Sequence, residues 1–92
     1  MNERQLRSFI KAAEYGSFSR AAADSYITTP AFVQQINLLE ESLGFRLFRR
    51  HRRGVELTAS GKVFYDAACQ MLRLYDEACD KCIALQNADK KQ

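Results

Sequence analysis

The amino-acid sequence predicts a mainly α-helical domain that carries one short β-hairpin and ends in a long helix. Apolar residues recur at helical spacing in three segments before residue 45. Two short strand-like stretches follow, and the chain after Thr58 contains no proline and no late glycine. With 92 residues, 47% of them hydrophobic and 27% charged, the chain has the size and composition of one small globular domain.

The first two helices are predicted from their capping residues. Asn2, followed three residues later by Gln5, resembles an N-cap with its reciprocal partner. Gly16 suits the end of this helix, and a second, short helix is expected after Ser17 and up to about Ser25. The residues of the second helix that are expected to face inward are Phe18, Ala21 and Ala22.

The third helix is expected to begin after Thr28 as N-cap and to end at Gly44. Pro30 lies in its first turn, where a missing N–H has no consequence. The core-facing residues, at steps of four, three and four, are Phe32, Ile36, Leu39 and Leu43. A second face carries small, amide and branched side chains with almost no charge, whereas a solvated helix face usually carries Lys and Glu.

A short hairpin rich in arginine is expected next. Its strands are predicted at 46–49 and 55–58, joined by a turn over 51–54 that is longer than two residues. Five of the eight residues in 46–53 are Arg and none is acidic, while 9 basic and 11 acidic residues remain elsewhere. Arginines without a nearby acid repel one another, and a polyanion would relieve this repulsion. A solvated loop is the alternative.

Helix, helix, tight turn, helix and basic hairpin, in this order, form the pattern of a winged helix-turn-helix. A helix that enters the major groove of DNA needs short polar or apolar side chains to meet base edges. The arginine hairpin could reach phosphates or an adjacent minor groove, with His51 as a neighbour of a phosphate. The candidate DNA-contacting residues are Thr28, Thr29, Pro30, Val33, Gln34, Asn37, Arg49, Arg50, Arg52 and Arg53. Neutral surface packing is the alternative for the helix face.

The apolar pattern of the last helix predicts that the chain associates with a second copy of itself. We expect a DNA-binding domain at 1–58, a linker helix at 59–88, about 45 Å long at about 1.5 Å per residue, and a frayed polar tail at 89–92. Apolar residues of this helix recur at alternating steps of four and three over three heptads. The predicted seam consists of Phe64, Ala68, Met71, Tyr75, Ala78, Cys82 and Leu85. A second copy of the chain is expected to cover its far half, and docking on a further C-terminal domain is the alternative.

Other classes of function find little support in the sequence. Cys79 and Cys82 form a lone CxxC without a second pair or a nearby His, so packing is favoured over a zinc or thiol sensor. No Gly-rich phosphate loop and no nucleophile beside a base is evident, so neither an enzyme nor a cofactor is expected. No apolar run approaches the roughly 20 residues of a membrane span, and the N-terminus is unlike a signal peptide, so a cytoplasmic protein is expected. A winged-helix domain for protein contact remains an alternative.

Three segments of the sequence resemble the N-terminal DNA-binding domain of LysR-type transcriptional regulators. They read LRSFIKAAEYGSFSRAAA, TTPAFVQQINLLEESLGFRLFRR and RGVELTASG. The resemblance is dense from about residue 3 to 62, and the long helix beyond is similar in character to the linker helix of that family. It implies a bacterial regulator that binds promoter DNA as a homodimer through paired linker helices. Arg50 and Arg53 match wing positions that contact phosphate and the minor groove in relatives.

The resemblance also implies what this chain lacks and where it differs. Members of the family normally continue into a C-terminal domain that senses a small effector. That domain is absent from this chain, so we expect a stand-alone module or a part of a longer regulator. At the start of the third helix, Thr29, Val33 and Gln34 replace a Gln, a polar contact residue and a cation that are frequent in the family. The base preferences of family members therefore do not apply to these three positions.

Overall fold

The computed structural model describes residues 1–90 and is mainly α-helical, as predicted. Within this part of the chain there are four helices and one antiparallel hairpin. In chain order these elements are α1 (Glu3–Tyr15), α2 (Phe18–Asp24), α3 (Thr29–Leu43), β1 (Phe48–His51), β2 (Gly54–Leu57) and α4 (Ala59–Lys90). The arrangement is a winged helix-turn-helix in which α2 and α3 form the helix-turn-helix and the β1–β2 hairpin forms the wing.

The predicted capping residues hold the ends of the first three helices. The side chain of Asn2 accepts a hydrogen bond from the backbone N–H of Gln5 at 2.8 Å, and Gln5 accepts one in return at 3.2 Å. Ser17 caps α2, and the hydroxyl of Thr28 accepts from the N–H of Ala31 at 3.2 Å. These bonds confirm the helix starts that were predicted from sequence.

One aromatic cluster joins the helices to the wing. The ring of Phe9 on α1 lies 5.4 Å from that of Phe48 on β1 and 5.6 Å from that of Phe64 on α4. Phe18 on α2 packs edge-to-face on Phe48 at 5.3 Å. Because Phe48 contacts helices on both sides, the start of the wing belongs to the hydrophobic core. The remaining large, fully buried side chains are Phe32, Ile36, Leu39 and Leu47.

The hairpin differs from its prediction in start and in turn length. Strand β1 begins at Phe48 instead of Arg46, because the backbone of Leu47 is used elsewhere: its N–H donates to the Glu40 carboxylate and its carbonyl accepts from the N–H of Thr58. His51 pairs with Gly54, which leaves a turn of two residues, shorter than predicted. Thr58 is the cap of α4 and not part of β2, since its hydroxyl accepts from the N–H of Gly61 at 2.9 Å.

Two glycines allow the wing to lie close to the helices. Gly54 has a φ of +144°, and a Cβ added there would collide with the carbonyl oxygen of Gly16. The same carbonyl accepts a hydrogen bond from the N–H of Val55 at 3.0 Å. A Cβ on Gly61 would collide with the carbonyl oxygen of Leu47. These contacts fix the wing against the end of α1 and the start of α4.

Helix α4 extends far beyond the rest of the domain. Its 32 residues reach Lys90, so Asp89 and Lys90 are helical and not part of the predicted tail, whose remainder, 91–92, lies outside the described residues. At about 1.5 Å per residue the helix is about 48 Å long, and the longest dimension of the molecule is 58 Å. Within 1–90, no helix is both long and apolar enough to cross a membrane.

Candidate nucleic-acid interface

The uncharged face of α3 lies on the surface of the domain. Thr29, Pro30, Gln34 and Asn37 are exposed, whereas Val33 is half-buried and packs partly against the core. Thr28, which caps the helix, is exposed as well. The structure therefore places the α3 residues predicted to contact DNA along one accessible side. Val33 has only part of its side chain free to meet a partner.

A buried carboxylate connects α3 to the wing. Glu40 is only 6% exposed, and its Oε2 accepts hydrogen bonds from the backbone N–H groups of Leu47 at 2.7 Å and Phe48 at 3.3 Å. Its Oε1 lies 3.6 Å from the guanidinium of Arg46 and 3.4 Å from that of Arg50. Buried charges persist in proteins when they are paired and hydrogen-bonded in this way.

Glu40 was missed by the sequence analysis, although the sequence contains a signal for it. It follows Ile36 by four residues and therefore belongs to the core-facing stripe of α3. A carboxylate on such a stripe requires a partner, and the segment starting at Arg46 is the richest source of cations in the chain. The arginines of this segment were expected to lack a nearby acid; for Arg46 and Arg50 this expectation was wrong, because the fold brings Glu40 within salt-bridge distance of both.

Three contacts anchor the side chain of Arg50 to the surface of the domain. Its Nη2 donates to Oδ1 of Asn37 at 2.6 Å and to Oε1 of Glu40 at 3.4 Å. Its guanidinium carbon also lies 5.0 Å from the centre of the Phe18 ring, a distance typical of a cation–π contact. The side chain is 35% exposed. Arg50 thus joins β1 to α2 and α3.

The other arginines of the wing are more accessible. Arg49 faces Glu56 across the hairpin, with 3.4 Å between guanidinium and carboxylate, and its side chain is 71% exposed. Arg52 and Arg53 form the two-residue turn and are exposed. Among the described residues, no carboxylate lies within salt-bridge distance of either turn arginine. Positive charge without a compensating acid is therefore concentrated at the tip of the wing.

The predicted seam on α4 divides into two parts. Ala68 is fully buried and Phe64 packs partly against the core, so Ala68 is unavailable to a partner and its assignment to the seam was wrong. The reason is that α1 covers the first turns of α4. From Met71 onward every residue of the predicted seam is exposed, with Tyr75 at 49% and Leu85 at 67%.

The N-terminal end of α1 flanks the point where the exposed part of this seam begins. Arg7 donates to the carboxylate of Asp76 at 2.7 Å. A hydrogen bond to Glu3 raises the pKa of Tyr75 above its ordinary value. A cleft of about 240 Å³ separates the two helices. It is lined by Met1, Asn2, Glu3, Leu6, Met71, Leu72 and Tyr75.

The cysteines give no sign of a metal site. Cys69 and Cys79 are half-buried, Cys82 is exposed, and all three are free thiols. In the described part of the chain, no group of three or more His, Cys, Asp or Glu side chains could hold a metal ion. A closed zinc site needs four ligands, so nothing in this geometry favours the CxxC as a metal sensor.

Comparison with known proteins places the fold in one family. Residues 3–62 match the family described as "Bacterial regulatory helix-turn-helix protein, lysR family". The chain is 49% identical over 81 residues to the HTH-type transcriptional regulator BudR of Raoultella terrigena. This match covers 88% of the chain but 28% of that relative, so the chain spans less than a third of its length.

Solved structures agree with this match. The CbnR DNA-binding domain in complex with DNA superposes with a TM-score of 0.89 at 38% identity, covering 92% of this chain and 98% of that one. Vibrio fischeri DarR in complex with DNA gives a TM-score of 0.91 at 31% identity, covering 95% of this chain and 30% of that one. The chain therefore belongs to the lysR family of bacterial regulatory helix-turn-helix proteins.

Proposed function

We propose that this domain binds double-stranded DNA sequence-specifically, as the DNA-reading part of a bacterial transcriptional regulator. Helix α3 lies in the major groove, and the tip of the wing contacts phosphates or an adjacent minor groove. The observation that carries the proposal is that the uncharged, exposed face of α3 is joined to a wing whose tip holds Arg52 and Arg53 without an acidic partner. The DNA complexes of CbnR and DarR, which share this fold, support it.

Dimerisation, location and the absence of catalysis belong to the same proposal. Two copies pair through the exposed part of α4, from Met71 to Leu85, which sets two α3 helices toward successive major grooves. The similarity to longer regulators supports a C-terminal effector domain in the whole protein. A regulator of bacterial transcription acts in the cytoplasm and needs no catalytic residues or cofactor.

The wing prediction concerns the salt dependence of binding. Replacing Arg52 and Arg53 with Gln should weaken binding to all DNA sequences. An arginine that contacts a phosphate releases a counterion from the DNA, and this favourable release is lost when the contact is lost. Each lost contact should flatten the slope of log affinity against log salt by roughly one unit. Fluorescence anisotropy with labelled duplexes at several salt concentrations measures this slope.

The control is Arg4→Gln, which removes one positive charge from an exposed residue and is compared with Arg52→Gln and Arg53→Gln made singly. Arg4 is twelve residues from Gly16, where α1 meets the wing, and the helical rise separates the two positions by about 18 Å. This variant should keep both affinity and slope. If the wing variant behaves like the Arg4 variant, the tip of the wing does not contact DNA.

The α3 prediction concerns the preferred bases. Val33 can pack on a thymine methyl and Gln34 can pair with adenine through its amide, while no Arg or Lys lies on this face to grip guanine. We therefore expect A·T pairs at the positions that these two side chains contact. Selection from a random-site library with wild type, Val33→Ser and Gln34→Ala identifies those positions. A G·C-rich consensus there would contradict the prediction.

A further inference from the structure

Arg50 and Asn37 form a hydrogen bond that allows only one orientation of the Asn37 amide. A guanidinium carries five N–H donors and no acceptor, so only the carbonyl oxygen of the Asn37 amide can face it at 2.6 Å. The NH₂ group of Asn37 therefore faces away from Arg50. No hydrogen bond from this group to any described residue is present, and Asn37 is exposed. The α3 face thus presents two free N–H donors at this position.

The remaining contacts of Arg50 hold it in place. Its guanidinium is attracted by the buried carboxylate of Glu40 and rests on the Phe18 ring. Moving Arg50 outward to a phosphate would break these contacts and leave Glu40, at 6% exposure, with one cationic partner fewer. Glu40 is itself fixed by two backbone N–H groups. Contacts within the domain therefore set the position of Arg50, without any contribution from DNA.

We propose that Arg50 is a positioning residue for base recognition: it orients the Asn37 amide so that α3 offers N–H donors to the major groove. This inference rests on the proposed function and refines one position within it. A free asparagine amide pairs with adenine, because it donates to N7 and accepts from the N6 amino group. The Asn37 oxygen keeps a second lone pair, but a bidentate pair with adenine requires the amide oxygen and nitrogen to face one base together. With the oxygen directed at Arg50, Asn37 meets the base through its N–H groups, and both purines present N7. Wild type should therefore accept guanine as well as adenine at this base pair.

The test combines site selection with a salt series on wild type, Asn37→Ala, Arg50→Gln and Arg53→Gln. In Asn37→Ala, the base preference should be lost only at the base pair that the Asn37 side chain contacts, and this loss identifies the pair. Arg50→Gln should raise the adenine-to-guanine ratio at that pair by roughly fivefold or more, as a freed amide pairs with adenine. Its salt slope should stay that of wild type, whereas Arg53→Gln should flatten the slope by roughly one unit without changing this ratio. In the Asn37→Ala background, Arg50→Gln should leave the ratio unchanged.

Two results would overturn the inference. A salt slope flattened by roughly one unit in Arg50→Gln, with an unchanged base ratio, would make Arg50 a phosphate contact. An unchanged ratio and an unchanged slope would leave Arg50 without a role in recognition. Wild type that binds no DNA would instead refute the proposed function itself. NMR of the Asn37 side-chain amide in the DNA-free domain gives an independent measurement: the amide should be ordered in wild type and mobile in Arg50→Lys, and equal order in both would also overturn the inference.

Discussion

Replacing Glu40 with Ala is expected to lower the free energy of unfolding by about 3 kcal/mol, because removing one partner of a buried, hydrogen-bonded ion pair leaves the others without compensation. The variant would leave the N–H groups of Leu47 and Phe48 without their acceptor, and Arg50 without its carboxylate. Since these groups join α3 to the wing, the wing should loosen as well. Urea denaturation followed by circular dichroism, at one fixed protein concentration, measures the change.

The neighbouring residue provides the control for Glu40. Glu41 carries the same charge on the same helix but is exposed. Glu41→Ala should change stability by about 0.5 kcal/mol or less, as is usual for surface substitutions. Equal effects of the two variants would show that the buried carboxylate does not hold the wing. Glu40→Gln separates charge from shape, because an amide of the same size keeps one acceptor oxygen but faces some of the surrounding donors with its own NH₂ group.

Introducing glutamate at Met71 and Tyr75 should dissociate the proposed dimer. If α4 pairs with its copy, each substitution buries a carboxylate without a partner, and together they should weaken pairing by several kcal/mol, or about a hundredfold or more in the dissociation constant. Leu85→Glu should act in the same way. Leu85 is 67% exposed and lies far from the core, so a loss of pairing in this variant is separable from damage to the domain. Light scattering at high micromolar concentration measures the mass.

Ala84 offers a matched control for the dimer prediction. It is exposed and nine residues from Tyr75, which is two and a half turns of helix, so it faces the opposite side of α4. Ala84→Glu should leave the dimer intact. A wild-type domain that is monomeric at high micromolar concentration would contradict pairing through α4. Equal masses for the Met71 and Tyr75 variant and for wild type would place any dimer contact elsewhere.

The helices were predictable because their signals are local in sequence. An N-cap such as Asn2 or Thr28 satisfies N–H groups two or three residues away, so the start of the helix is encoded in a few neighbouring residues. The apolar repeat of α3 likewise shows which side faces the core. The same local logic identified the exposed, uncharged face that includes Gln34. Element order, caps and candidate reading residues therefore followed from the sequence.

The strand boundaries and the partners of charged side chains were not predictable in this way. The start of β1 depends on where the N–H and the carbonyl of Leu47 find partners, and those partners, Glu40 and Thr58, are distant in sequence. The approach of Gly61 to Leu47 also depends on packing between distant segments. A hydrophobic pattern shows that a residue is buried, but it does not show which element buries it. For that reason Ala68, which fits the heptad repeat, was assigned to a partner, although α1 covers it.

A helix-turn-helix with a basic wing, a neutral helix face and a long last helix could be predicted from the sequence. Each of these features depends on residue types and spacings within one segment. Which arginines are free for a partner depends on how the chain folds. Arg50 and Arg53 are three residues apart and alike in sequence, yet Arg50 contacts a buried carboxylate while Arg53 lies in the exposed turn. The physical reason is that the electrostatic environment of a side chain depends on charges nearby in space, which the fold brings together from distant segments.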